Sequence, residues 1–191
     1  MTFSRRRRQQ SEFQRSALNW CVTIGSVFLC LLILPTRLPG TELLGISPNW
    51  LLIWVVAWSV NRIPFDGAIA GLVLGLLQDA LTAHFPTHAL SLMVVGYLTG
   101  RLQKQRYIQE DIVSVALIVF GMAVVAETVM ALQISAHYLL VPSSPYPSLG
   151  EIWLYQQKAA LSSAILSSLW APALYYPLKR WWEQYQPREL D

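Results

Sequence analysis

Charge is scarce in this 191-residue sequence: 13% of its residues are Asp, Glu, Lys or Arg, where an ordinary soluble domain carries about 25%. The shortage is also uneven, since Asp79 is the single charged side chain from residue 67 to residue 100. This excludes an ordinary water-facing globular surface and leaves no room for a separate soluble module. Histidine and cysteine are equally thin, with three and two copies. No CxxC pair, HExxH helix or glycine-rich phosphate loop occurs, and no serine has nucleophile partners at a recognisable spacing. These absences argue against a catalytic centre, a bound cofactor and a nucleotide site. Cys21 and Cys30 fall within one apolar run, about 13 Å apart along a helix, too far to pair. They read as small apolar packing residues.

What is present is hydrophobic residue, 54% of the chain, gathered into long runs. Helices that cross a hydrocarbon core of ~30 Å need roughly 20 apolar residues. Six segments are candidates, at about 17–34, 48–62, 67–82, 86–101, 112–134 and 157–178, of which the second to fourth are short, at 15 or 16 residues. Polar breaks at residues 61–64 and 84–88 separate the second, third and fourth. Irregular backbone cannot face lipid, so these breaks must reach the interfaces or be covered by protein. The expected fold is all-α, an integral membrane bundle of six transmembrane helices. A basic segment at 1–16 precedes the helical domain at 17–180, and a tail follows at 181–191.

Lysine and arginine set the orientation. With the N-terminus inside, twelve of the fourteen basic residues fall on the inner side, leaving Arg37 and Lys158 outside. The positive-inside rule then puts both termini in the cytoplasm. The run Arg5-Arg6-Arg7-Arg8 could bind nucleic acid, form a twin-arginine export signal or begin a cleaved signal peptide. Polar residues Gln9-Gln10-Ser11-Glu12 follow it instead of an apolar core, and no clear A-x-A site follows the first helix. It reads as a juxtamembrane anchor attracted to anionic lipid, with no nucleic-acid partner. Trp50, Trp54 and Trp58 recur every four residues and could line a ligand pocket; a packed or lipid-facing ridge is the commoner use of such a stripe. His84 and His88, four apart and near Asp79, superficially suggest a metal cluster. Pro86 between them breaks the helix that would present them together, so no metal site is expected.

Gly67, Gly71 and Gly75 form a stripe at four-residue spacing that continues to Asp79. Small residues so placed let a second backbone approach closely. Matching small residues occur in the sixth segment (Ala159, Ser163, Ser167, Ala171) and the first (Ala17, Cys21, Gly25). Asp79 and Glu127 are the intramembrane acids, both in the outer half, and no basic residue within a span is placed to neutralise them. A proton relay or ion site is one reading; a structural hydrogen bond from one or both acids, in the protonated form, is the other and is preferred. For Asp79 the expected partners are His88, the Thr82 hydroxyl or backbone amides of the 84–88 turn. A short polar group would then suffice, with asparagine tolerated and leucine costing about 1–3 kcal/mol.

Several of these residues make a pattern. Pro48-Asn49-Trp50 opens an apolar helix ending in Asn61-Arg62, and the glycine stripe runs into Leu76-x-x-Asp79. His88-Ala89-Leu90 and Gly96-Tyr97-Leu98-x-Gly100-Arg101 follow. Residues 48–106 thereby resemble the rod shape-determining protein MreD family. The turn His84-Phe85-Pro86-Thr87 departs from the Pro-x-Gly turn usual there. The resemblance implies a non-catalytic multi-pass protein of the bacterial cytoplasmic membrane. Its partners would be MreC-like and MreB-like proteins and the RodA–penicillin-binding-protein machinery that elongates the peptidoglycan wall. The family is also similar in fold to six-helix vitamin-binding transporter subunits, which supplies the alternative of a small-molecule binder. That alternative needs convergent polar groups, and Asp79, Glu127, Thr128 and Gln133 are the main ones on offer.

Overall fold

A computed structural model describes residues 2–34, 46–82, 86–103, 111–140 and 148–185. They fold into six helices: α1 Thr2–Ile33, α2 Trp50–Ser59, α3 Pro64–Thr82, α4 His88–Gln103, α5 Ile112–Leu140 and α6 Leu149–Tyr185. No strand occurs among the described residues. By length and composition α3 and α5 qualify to cross a membrane; Ala17–Ile33 of α1 and the whole of α2 are shorter apolar helices. The sequence places all six helices. It misses their lengths most at α1 and α6, whose polar ends continue the helix beyond the apolar stretch that hydropathy detects.

The centre of the molecule is α2. Ten residues make it about 15 Å long, half the thickness of a hydrocarbon core. Nine of the ten are buried, so it shows almost no surface to lipid or water. Helices α1, α3, α4, α5 and α6 all pack on it. Asn49 starts it: its Oδ1 accepts from Leu52 N–H at 3.0 Å, and its own N–H donates to Ser167 Oγ of α6 at 3.0 Å. An N-cap satisfies backbone donors that would otherwise be stranded at a helix start in an apolar setting. The tryptophan stripe resolves mainly as packing. Trp50 lies 5.6 Å from Trp170, and Trp54 stacks on Trp58 and meets Trp182 edge-on. Trp54 Nε1 donates to Ser26 Oγ at 2.8 Å, which ties α2 to α1.

The most extensive pairing is the α3–α4 hairpin, followed by α5 with α6. The glycine stripe packs on α4, and neither α6 nor α1 supplies its partner. A Cβ on Gly67 would overlap the Gly96 backbone, one on Gly71 the Leu92 backbone, and one on Gly75 the Ala89 backbone. Gly96 and Gly100 answer from α4, against the backbones of Gly67 and Pro64. The pairs run antiparallel in constant register, backbone on backbone. Nothing lies within 4 Å of a Cβ built on Gly25, so the small residues of α1 form no seam there. Those of α6 (Ser163, Ser167 and Ala171) are buried, and Ser167 caps α2.

Candidate functional site

At the end of the glycine seam the chain turns from α3 into α4, and polar side chains hold that turn. The buried face of α3 is Gly67, Gly71, Leu74, Gly75 and Gln78, with Asp79 beside it and half-buried. From there Asp79 reaches across to the start of α4. Its Oδ1 accepts from His88 N–H at 2.7 Å and lies 2.8 Å from His88 Nδ1, while Oδ2 accepts from Ala89 N–H at 3.2 Å. The ring contact makes His88 a partner of Asp79 through both its backbone and its side chain. The first amides of a helix have no intrahelical acceptor, and the macrodipole favours an anion there. Asp79 therefore caps α4 from another helix. Of the partners expected from sequence, His88 and the turn amides are engaged; Thr82 instead donates to Gln78 O at 3.0 Å.

A second clamp holds the same turn from α5. Gln133 Nε2 donates to Thr87 O at 3.1 Å, and Thr87 Oγ1 donates to Gln133 Oε1 at 3.0 Å. Pro86 stands just ahead of Thr87 and has no backbone N–H to satisfy. His84 lies outside the described residues. His88 is turned onto Asp79, and among the described residues no group of three or more His, Cys, Asp or Glu side chains could hold a metal ion.

Glu127 sits on α5, away from Asp79, and faces α6. Its Oε2 accepts from Gln156 Nε2 at 2.7 Å. Cavities of about 340 Å³ and 510 Å³ flank this pair, the first beside Trp153 and Ala160, the second beside Ile134 and Tyr155. Thr128 turns back on its own helix and donates to Val124 O at 2.7 Å. Sequence reasoning misses Gln156 because the sixth hydrophobic window opens at residue 157, and a polar residue just outside a window draws no attention. It also leaves Gly96 and Gly100 as motif letters, although their four-residue spacing on the next helix was the available signal for the seam's partner. Asp79 and Glu127 are thus not brought together: each ties its own helix to a different neighbour.

Among curated proteins, and among solved structures, nothing matches this chain. One family does match, over residues 14–177, which takes in the described parts of α2 through α5, most of α6 and the apolar half of α1. That span includes the seam, both acids and their partners, and it makes the chain a member of the rod shape-determining protein MreD family.

Proposed function

We propose that this chain is a non-enzymatic component of the bacterial cell-elongation complex, a membrane scaffold that supports MreB/MreC-directed peptidoglycan synthesis beside the RodA–penicillin-binding-protein machinery. It sits in the cytoplasmic membrane with six crossings and both termini inside, the second crossing completed by the residues that flank the short, buried α2. Family membership supplies the role in rod shape. The observation that supports a scaffold over a binder is what the interior polar groups do. Asp79 holds α4, Gln133 holds Thr87, Thr128 bonds its own backbone and Glu127 holds Gln156. A vitamin site would need these groups to converge on one cavity. Here Asp79, Gln133 and Glu127 each fix one helix against a neighbouring segment, and of the four groups only Glu127 and Thr128 line the cavity of about 340 Å³, which suits a rigid body that presents surfaces to partners.

Depletion of the protein in its native cell, followed by microscopy, tests this reading. Rod-shaped cells should round up, and plasmid-borne protein should restore them. Unchanged shape together with a new vitamin requirement would move the chain to the transporter class.

A further inference from the structure

We propose that the cleft between α1 and α3 binds one inner-leaflet phospholipid with a phosphoethanolamine headgroup, gripped by Arg62 and Asp66. The inference rests on the membrane placement and inward-facing Arg62 proposed above, and is independent of the shape role. The cleft exists because α1 packs on α2 and α6 and leaves a gap beside α3. Its volume is about 510 Å³, within the ~300–1,000 Å³ of ordinary small-ligand sites. The stacked rings of Trp54 and Trp58 form the floor.

Polarity is graded along the cleft in one direction. Asn19, Arg62 and Asp66 lie together at the end that the basic residues assign to the cytoplasm, and Val27, Val73 and Leu77 lie at the other. From Asp66 to Leu77 α3 rises about 16 Å, close to half of a ~30 Å hydrocarbon core and hence to one leaflet. The rim is open sideways: Ile24 is 61% exposed and Val73 49%. An acyl chain can therefore enter from the bilayer and lie along the indoles with its headgroup at the mouth.

The mouth selects the headgroup. Arg62 and Asp66 carry opposite charges, and among the described residues neither side chain has a hydrogen-bond or ion-pair partner. The Arg62 guanidinium carbon lies 4.5 Å over the Trp58 ring, which holds the cation above the floor. Asn19 Oδ1 is buried without a hydrogen-bond partner. A guanidinium suits a phosphate, and a carboxylate with a free amide oxygen suits a primary ammonium that has protons to give. Phosphocholine offers no N–H to Asp66 or Asn19, and phosphoglycerol adds an anion without answering Asp66. An apolar helix from another protein would fill the walls and leave all three groups unanswered.

The test uses the full-length protein in phosphatidylcholine vesicles that contain a minor fraction of brominated lipid, with phosphoethanolamine, phosphoglycerol or phosphocholine headgroups. Bromine quenches indole on contact, and the quenching lost in Trp58→Phe is the cleft signal. Brominated phosphatidylethanolamine is expected to occupy the cleft about fivefold better than the choline lipid, which is ~1 kcal/mol at 1.4 kcal/mol per tenfold. Arg62→Gln and Asp66→Asn should each bring that ratio to unity, with quenching of Trp170, which lies outside the cleft, unchanged as the sign of an intact fold. Equal quenching by all three headgroups, or preference for phosphoglycerol, overturns the proposal. So does a Trp58 that no lipid quenches while Trp170 is quenched, because the cleft is then closed or otherwise filled. If no tryptophan is quenched by any lipid, the membrane placement itself fails.

Discussion

Replacing Asp79 by leucine and by asparagine tests the α3–α4 junction most directly. The carboxylate accepts from three donors, two backbone amides and the His88 ring. Leucine leaves all three unanswered at a site where the Asp79 and His88 side chains are 18% and 20% exposed. A stranded buried donor costs roughly 1–3 kcal/mol, and residual exposure puts each near the low end, so Asp79→Leu should cost about 3 kcal/mol. Asparagine can keep one oxygen on the two His88 donors, but its amide nitrogen then faces the Ala89 N–H, donor against donor. That mismatch puts the cost of Asp79→Asn at about 1–2 kcal/mol. Sequence alone expects asparagine to be tolerated; two working oxygens make it intermediate. Reversible unfolding of the purified variants in lipid bicelles measures the order. His88→Ala closes a double-mutant cycle with Asp79→Leu, where a coupling of about 0.5–3 kcal/mol is expected. Asparagine as stable as the parent, or a cycle with no coupling, would refute the cross-helix cap.

The seam makes a contrast testable by thermal unfolding in detergent. Gly71→Ala should destabilise strongly because its Cβ meets the Leu92 backbone, whereas Gly25→Ala and Gly121→Ala, with open space around them, should be neutral or gain up to about 1 kcal/mol of helix propensity. Equal melting of all three would remove the seam. Leu72→Ala, at an exposed position, should be mild, while Leu74→Ala, 5% exposed, should cost about 2–3 kcal/mol; the reverse order would refute the face assignment. Glu127→Gln keeps an acceptor for Gln156 and should restore rod shape in a depleted strain, whereas an inactive but normally accumulating variant would point to a proton relay. Reporter fusions after Arg106 and at the C-terminus should read cytoplasm and one near Ser144 the outside, and inversion at any one of them breaks the six-crossing topology.

Helix positions were legible because apolar runs are long and the breaks between them are polar. Helix surroundings were not. The stretch Trp50–Ser59 is apolar on every side, and a residue facing lipid and one facing protein make the same demand on hydropathy. Nothing in those ten letters says that they form the centre. The glycines announced a close approach without naming the approaching backbone, since four-residue spacing recurs in α1, α4 and α6 alike. Asp79 was traceable further, because its partners follow within ten positions. Glu127 was not, because Gln156 lies 29 positions away and one of two adjacent glutamines just outside a hydrophobic window resembles any interfacial residue.

The central place of α2 has a consequence for how the protein is made. Translation delivers residues 50–59 early and α6 after every other helix described here. Yet α2 completes its start with Ser167, 118 positions downstream, and Trp54 closes against Trp182. A nascent chain halted in the α5–α6 connection therefore holds an unroofed middle, with the Asn49 amide lacking its acceptor. Truncation before Ser167 should leave that region open to membrane proteases while the α3–α4 hairpin, whose contacts are local, persists. Only a chain that has reached Trp182 carries a closed interior, so an unfinished copy should be cleared before it can act.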